Sequence, residues 1–287
     1  MTNLQKKRDT TNVTLRLMTL LISMGVCVYD YLIQRFYKLM DKKLPGRCVV
    51  LYYHEVTLEQ RNRFAQQMDY IIEWAKPVSA DLKEPLEDGI CNVAITFDDG
   101  FACIIDNAVP FLIEREIPFT IFIPSAYLGK KPDWIEVRWI EEQEIKDHEV
   151  VMSKDQLRKL LNNELISIGS HCVTHQNLLQ LTEEDAKEEI LQSKLTLETL
   201  LNEKIATLSF PHGAFNEKHV EFAKQAGYER VFSISPGPAF SQTDEYVTER
   251  INADISDWPM EFRLKIMGAY RWRSLAFALQ RKFFSDK

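Results

Sequence analysis

The sequence predicts an α/β protein whose parallel strands close into a barrel surrounded by helices. Short apolar runs, typical of strands buried on both faces, alternate with helical stretches, as in consecutive βαβ units. The polar residues that could bind a metal ion or act in catalysis follow these runs directly. Because barrel active sites lie at the carboxyl ends of the strands, this placement favours a closed barrel over an open sheet.

The elements are predicted in chain order from apolar runs, capping residues and breakers. Buried strands are expected at residues 48–54, 93–95, 117–124, 165–170, 206–210 and 231–235. Helices are expected at residues 59–74, 101–116, 153–161, 182–203 and 216–226. Pro110 is expected to kink the second helix, and Ser153 and Thr182 to cap the third and fourth. Residues 129–150 form an irregular, acidic insertion with Trp134 and Trp139, which is typical of a lid or a binding loop.

Length and composition fit one large globular domain or two small ones. The chain has 287 residues, of which 45% are apolar and 27% charged. Its net charge of −7 argues against a nucleic-acid-binding protein, which needs a basic surface. The five cysteines are odd in number and scattered, so we expect buried small hydrophobes and neither a disulfide framework nor a zinc ribbon.

Both ends of the chain are predicted to be helical and to flank the barrel. In residues 1–44, an uncharged run at 17–29 lies between basic residues. It is either a short membrane anchor or interfacial helix, or a soluble helix packed on the domain. Residues 253–287 contain a basic amphipathic stretch at 262–284, expected to lie on an anionic membrane or to pack against the rest of the chain. Membrane association, on an unassigned side, is therefore expected, and a soluble cytoplasmic protein is the alternative.

Two neighbouring carboxylates end one of the predicted strands. Asp98 and Asp99 would be partly desolvated there and would repel each other, so a cation is expected beside them. His171 and His175 follow the predicted strand at 165–170. Two imidazoles and one carboxylate form a common facial ligand set, which leaves the second carboxylate free to act as a base. The sequence therefore predicts a mononuclear metal site built for hydrolysis.

These residues also carry a resemblance to a known family. Thr96-Phe97-Asp98-Asp99-Gly100, followed by His171-x-x-x-His175, resembles the first two motifs of the polysaccharide deacetylases (carbohydrate esterase family 4, the NodB-homology domain). The resemblance implies a distorted (β/α) barrel of about seven parallel strands, within a domain at residues 45–252. It further implies that Asp98 is the general base and that Asp99, His171 and His175 hold a divalent metal, most often Zn²⁺.

The third motif departs from the family's usual form. The segment Phe210-Pro211-His212-Gly213 stands where the family has an Arg and a Pro-Tyr pair. The resemblance implies that these four residues bind substrate, that the backbone N–H of His212 helps to bind the oxyanion, and that the Arg which orients the base is missing. Arg250 is our candidate substitute for that Arg. The residues at 254–258 match the fourth motif by letters, but they lie beyond the strand expected to carry it, and we expect the match to be coincidental.

The family's late Leu-x-His motif, which supplies the general acid, does not occur in this sequence. His54 ends an apolar strand and should reach the barrel mouth, whereas His219 lies on a predicted exposed helix and His148 in the acidic insertion. The pair Tyr53-His54 resembles the poly-N-acetylglucosamine deacetylase branch, whose permuted barrel takes the acid from its first strand. We therefore expect His54 as the acid and Tyr53 as a substrate-binding residue.

Together these features predict a metal-dependent hydrolase that de-N-acetylates N-acetylhexosamine units of a polysaccharide or glycan. Asp98 would take a proton from the attacking water, and His54 would protonate the departing amine, releasing acetate. Two alternatives stay open, namely an O-acetyl esterase that uses the same site and a catalytically inactive carbohydrate-binding module. The expected partners are the glycan and, through the terminal helices, a membrane surface.

Overall fold

The computed structural model describes residues 3–134, 150–241 and 244–274, with side chains from Val13 onward. Its strands are β1 (Arg47–Tyr53), β2 (Lys76–Pro77), β3 (Cys91–Phe97), β4 (Phe119–Ile123), β5 (Ile166–Ser170), β6 (Thr207–Ser209), β7 (Arg230–Phe232), β8 (Val247–Thr248) and β9 (Ile251–Asn252). Its helices are α1 (Asn3–Leu39), α2 (Arg61–Trp74), α3 (Cys103–Asn107), α4 (Val109–Glu114), α5 (Lys154–Leu160), α6 (Glu183–Leu201), α7 (Glu217–Gln225) and α8 (Pro259–Ile266). Short 3₁₀ turns lie at Ser125–Tyr127, Leu178–Gln180 and Pro211–Gly213.

The strands form one sheet of parallel neighbours in the order β8-β7-β6-β5-β4-β3-β1-β9, and β2 also pairs with β3. The strands at the two ends of this order, β8 and β9, are consecutive in the chain and are separated only by Glu249 and Arg250. β8 pairs with β7, whereas β9 pairs with β1. One short segment thus joins both edges of the curled sheet, and the predicted distorted (β/α) barrel is confirmed.

The strand side chains alternate between two cores. Along β1, Val50 points into the barrel, whereas Leu51 and Tyr53 face the surrounding helices. The interior core consists of Cys48, Val50, Ala80, Ala94, Phe122, Phe232, Ala239 and Phe240. Since β1 is buried on both faces, its sequence is apolar throughout, as expected for a strand covered by helices.

The helices follow the predicted stretches with one difference. The helix predicted over 101–116 is two short helices, α3 and α4, which meet at Ala108. Pro110 lies in the first turn of α4, where the N–H that it lacks has no intrahelical partner to bond. The side chains of Ser153 and Thr182 accept backbone N–H groups at the starts of α5 and α6, so both capping predictions are confirmed.

The N-terminal helix α1 packs beside α8 and also exposes an apolar surface. Residues 13–39 are long and apolar enough to cross a membrane, a property that N-terminal signal sequences share. Only 6% of the most apolar stretch of this helix is buried. Arg16 pairs with Glu261, and Asp30 pairs with Arg271 through contacts of 2.6 and 2.8 Å. The helix therefore combines features of both of its predicted forms.

The predicted basic helix at 262–284 is described only in part, because residues 275–287 lie outside the described residues. Phe262 is buried in the core, and Lys265 Nζ pairs with Asp257 at 2.6 Å. The described part therefore packs against the barrel and α1, which is the second of the two arrangements expected for it.

Candidate active site

Three side chains from two loops converge at the carboxyl ends of the strands. Asp99 follows β3, whereas His171 and His175 follow β5. Asp99 Oδ1 lies 3.1 Å from His175 Nε2 and 3.5 Å from His171 Nε2, and all three residues are buried. The structure thus brings together the three side chains that the sequence proposes as metal ligands.

The donor atoms of this cluster fit a divalent metal ion. Asp99 Oδ1 is buried and accepts no hydrogen bond from the described residues. Two ligands about 2.0–2.2 Å from one ion lie roughly 3–3.5 Å apart, which matches the spacing seen here. His171 Nδ1 donates to the carbonyl oxygen of Ser209 at 2.7 Å, so in the neutral imidazole Nε2 is the nitrogen available to bind a metal ion.

The electrostatics of the cluster also favour a bound cation. Burial acts to raise the pKa of Asp99, but His171 and His175 outweigh it, and the pKa lies well below its ordinary value. Burial lowers the pKa of His175. Burial also acts to lower the pKa of His171, yet Asp98 and Asp99 outweigh it and the pKa is raised. Two buried carboxylates thus attract positive charge to this point of the structure.

The loops that carry these side chains adopt left-handed backbone conformations. The φ angle is 65° at Asp99, 60° at Cys172 and 59° at His175. Such conformations cost roughly 1–3 kcal/mol each at residues other than glycine, and they are concentrated at functional sites. Gly100 follows with a φ of 62°, and a Cβ atom there would lie 2.3 Å from Ile123 Cδ1. A side chain at position 100 would therefore displace the end of Ile123 and add the strain of a left-handed backbone, which glycine avoids.

Glu189 on α6 holds the loop between the two histidines. Its carboxylate accepts the backbone N–H groups of Val173 and Thr174, both at 2.9 Å, and the hydroxyl of Thr174 at 2.6 Å. These bonds span the segment between His171 and His175, so they fix the separation of the two imidazoles. Glu189 belongs to no motif visible in the sequence, because only the fold places it beside this loop.

Replacing Glu189 with Gln should weaken metal binding about tenfold, since residues that orient ligands typically contribute 10–100-fold. Gln keeps the shape of Glu189 but loses the charge that three donors share. Isothermal titration calorimetry with the metal ion measures the affinity. Glu188→Gln, on the exposed face of the same helix, is the matched control and should bind metal normally. Equal affinities in the two variants would contradict the role of Glu189.

Asp98 lies buried beside the cluster in a bidentate ion pair with Arg250. Arg250 Nη1 donates to Asp98 Oδ1 and Nη2 donates to Asp98 Oδ2, both at 2.8 Å. The guanidinium also donates to Ser209 Oγ at 2.7 Å, to the carbonyl oxygen of Ser233 at 2.9 Å and to Thr96 Oγ1 at 3.1 Å. Arg250, proposed from the sequence as a substitute for the missing Arg, thus contacts both oxygens of Asp98.

Aromatic rings enclose the guanidinium of Arg250 inside the barrel. Its Cζ atom lies 4.8 Å from the ring centroid of Tyr52, and the rings of Phe122 and Phe232 lie at 5.5 and 5.7 Å. Burial acts to raise the pKa of Asp98, but the charge of Arg250 outweighs it, and the pKa is lowered. Asp98 is therefore held ionised and in a fixed orientation.

Two further histidines border the cleft. His54 ends β1 and is exposed, its ring centroid lies 5.7 Å from that of Tyr52, and its charge acts to lower the pKa of Asp98. His212 is exposed, has a φ of 58°, and its ring centroid lies 4.5 Å from that of His175. Both side chains are thus near the cluster and accessible from solvent.

Tyr53 and Phe210, expected from the resemblance to bind substrate, are both buried in the core between the strands and the helices. Tyr53 points outward from the barrel, is buried, and donates its hydroxyl to Gln67 Oε1 at 2.9 Å. Phe210 is buried and stacks on Phe215. Within the 210–213 segment Pro211 and Gly213 are also buried, which leaves His212 as its exposed side chain.

Trp134 forms a wall of the cleft. From the sequence it was predicted only to belong to the long insertion at residues 129–150. Its ring centroid lies 4.0 Å from that of His175 with an interplanar angle of 23°, and Tyr127 packs edge-on against it at 4.8 Å. The apolar face of Trp134 therefore adjoins a proposed metal ligand. Trp139 and His148 of the same insertion lie outside the described residues.

Two other polar features have local structural roles. His219, predicted to be exposed, is instead buried, because its Nδ1 accepts the backbone N–H of Asn216 in a capping box at the start of α7. In the segment 254–258, Asp257 accepts the backbone N–H of Asp254 and pairs with Lys265. This segment forms a turn before α8 and contributes no ligand to the cluster among the described residues.

Comparisons with known proteins identify the family of this chain. Residues 88–231 match the profile of the polysaccharide deacetylase family. The chain is 23% identical to YxkH of Bacillus subtilis (strain 168) over 72% of this chain and 71% of that protein. It is 26% identical to a poly-beta-1,6-N-acetyl-D-glucosamine N-deacetylase of Staphylococcus aureus (strain MRSA252), over 61% of this chain and 58% of that protein. The structure of IcaB from Ammonifex degensii has a similar fold, with a TM-score of 0.64, 22% identity, and coverage of 80% of this chain and 100% of that one. The chain therefore belongs to the polysaccharide deacetylase family, whose members are hydrolases that cleave N-acetyl amide bonds.

Proposed function

We propose that this chain is a divalent-metal-dependent enzyme that removes acetyl groups from N-acetylhexosamine units of a polysaccharide or glycan. The observation that carries the proposal is the convergence of Asp99, His171 and His175 beside an ionised Asp98 that Arg250 orients. The activity named for the Staphylococcus aureus relative supports an N-acetylated glycan as the substrate. Zn²⁺ is the metal that this donor set favours, and residues 45–252 form the proposed catalytic domain.

The residues around the cluster divide the proton transfers between them. A divalent ion held by Asp99, His171 and His175 would acidify water and polarise the acetyl carbonyl. Asp98 accepts the proton of the attacking water, because its carboxylate is ionised and still has lone pairs that Arg250 does not use. The backbone N–H of His212 donates to the oxygen that becomes negative in the transition state.

His54 protonates the departing amine. It ends β1, the strand that pairs with β3, and β3 delivers Asp98 at the same level of the barrel. The acid and the base therefore approach the scissile bond from adjacent strands. General acid and base groups of this kind contribute about 10²–10⁴-fold to the rate. Trp134 provides an apolar surface beside the metal ligands against which a sugar ring can pack.

The test is acetate release from N-acetylglucosamine oligomers and from acetylated xylan, each with and without a chelator. Release from the oligomers that stops with chelator and returns with Zn²⁺ is the expected result. Preferential release from xylan would favour an O-acetyl esterase. Oligomer binding that is unchanged by chelator, with no acetate released from either substrate, would favour a carbohydrate-binding module and overturn the proposal.

Replacing Arg250 with Lys should lower turnover at least tenfold and lower the free energy of unfolding by about 1–3 kcal/mol. An ammonium group keeps the charge, but it cannot reproduce the bidentate contact with Asp98 together with the bonds to three further oxygens. Acetate release and thermal unfolding measure the two effects. Arg230→Lys, at a partly buried arginine packed on Phe240, is the matched control and should leave turnover unchanged. Full turnover by Arg250→Lys would show that bidentate orientation of Asp98 is dispensable.

A further inference from the structure

The charged residues in the apolar stretch of helix α1 lie on its docked face, and the outer face of this stretch is apolar. One stripe of α1 is partly or fully buried against the domain, and it repeats at helical spacing. The stripe consists of Arg16, Thr19, Leu20, Ser23, Val26, Cys27, Asp30, Ile33 and Tyr37. It contains both charged residues found between positions 13 and 34 of the helix.

Specific contacts hold this stripe on the domain. Arg16 pairs with Glu261 and donates to the carbonyl oxygen of Ser256 at 2.7 Å. Asp30 accepts two bonds from Arg271. Ser23 is fully buried and accepts the indole N–H of Trp272 at 3.0 Å. Docking therefore neutralises each charge of the stripe with a partner distant in sequence.

The opposite face of α1 is exposed and uncharged from position 17 to position 32. Its members are Leu17, Met18, Leu21, Ile22, Met24, Gly25, Val28, Tyr29, Tyr31 and Leu32. An exposed contiguous apolar face of this kind marks an interaction site. Arg35, Lys38, Lys42 and Lys43 follow it and are also exposed, which complements an anionic surface. Tyrosines on such a face are typical of the membrane–water interface.

We propose that docked α1 lies in the plane of an anionic lipid bilayer. Its outer face lies in the membrane–water interface, and the barrel packs on its docked stripe. A spanning orientation would require α1 to leave the domain. It would break the pairs with Glu261 and Arg271, leave the buried Glu261 without its partner, and move Asp30 toward the hydrocarbon. The in-plane orientation keeps all of these contacts and buries the apolar face in lipid.

This orientation also sets the direction of the cleft. Arg16 contacts Ser256, which follows the carboxyl end of β9, whereas Asp30 lies 3.8 Å from Arg47, the first residue of β1. Helix α1 therefore runs alongside the barrel from the carboxyl ends of the strands to their amino ends. With α1 in the membrane plane, the barrel axis is parallel to the bilayer and the cleft opens along the membrane surface.

Depth-dependent fluorescence quenching tests the orientation. Single cysteines are introduced at Met18, Leu21, Val28 and Leu32 in a chain whose native cysteines are replaced, and each is labelled with a polarity-sensitive dye. The protein is bound to phosphatidylcholine vesicles containing phosphatidylglycerol, with lipid-attached quenchers at shallow and deep positions. The expected result is one shallow depth at all four sites, with no quenching of a label at the exposed Ile72 of α2. A depth that is greatest in the middle of the series would show a spanning helix and overturn the proposal.

Charge substitutions give an independent measurement. The double variant Leu21→Glu, Val28→Glu should weaken vesicle binding about tenfold or more, because both side chains would leave the lipid. Ile72→Glu is the matched control and should bind normally. Thermal unfolding midpoints, measured without lipid, check that each variant folds. Unchanged vesicle binding by the folded double variant, or self-association through the outer face without vesicle binding, would overturn the proposal.

Discussion

Replacing Asp98 with Asn is expected to reduce turnover by about 10²–10⁴-fold, the usual contribution of a general base. Asn has nearly the same shape and still accepts a bond from Arg250, but it cannot take a proton from water. The donor atoms of Asp99, His171 and His175 stay in place, so metal content should remain close to stoichiometric. Acetate release and elemental analysis of the purified protein measure the two quantities.

A matched control distinguishes the loss of the base from a weaker hold of Arg250 on the Asp98 carboxylate. Ser209→Ala removes one of the bonds that Arg250 donates, yet it leaves the carboxylate of Asp98 and its bidentate contact. Turnover of this variant should fall much less than that of Asp98→Asn. Full activity of Asp98→Asn would remove Asp98 from the role of base. A loss of metal from the same variant would place Asp98 among the ligands.

Replacing His171 with Ala is expected to abolish both metal binding and turnover. The change removes one of three donors from a buried site and leaves the carboxylates of Asp98 and Asp99 with less positive charge nearby. The readouts are metal stoichiometry after dialysis and acetate release at saturating substrate. Removing a single histidine ligand is sufficient for this result because His175 and Asp99 alone offer two donors.

His219→Ala provides a control with the same chemical change elsewhere. His219 is also buried, but it lies in a capping box at the start of α7, away from the cluster. Its replacement removes one hydrogen bond of the capping box and should lower stability by about 0.5–1.5 kcal/mol, and it should leave metal stoichiometry intact. Stoichiometric metal in His171→Ala would refute the ligand assignment, whatever its effect on turnover.

The barrel and the convergent cluster were predictable because both depend on local patterns. Apolar runs followed directly by Asp99 and by His171 and His175 place those residues at strand ends, and parallel strands bring their carboxyl ends to one edge. Arg250 was a candidate because the third motif lacks the Arg that orients the base in the family. Its bonds to residues more than 150 positions away were not visible in the sequence.

The direction of individual side chains was not predictable in the same way. The strand β1 is apolar on both faces, so no alternation distinguishes Tyr52, which packs on Arg250 inside the barrel, from Tyr53, which faces the helices. A shift of one residue in such a strand exchanges inside and outside. The docked stripe of α1 was not predictable for a related reason, because the partners of Arg16 and Asp30 lie about 240 positions away in the sequence.

The link between β8 and β9 has a consequence for synthesis of the chain on the ribosome. All three proposed metal ligands and Asp98 precede position 231, but Arg250 emerges with the residues that close the barrel. A truncated product that stops before Arg250 can hold the ligands but leaves Asp98 without its only bidentate partner among the described residues. The ion pair that orients Asp98 therefore depends on the same short segment that joins the two edges of the sheet.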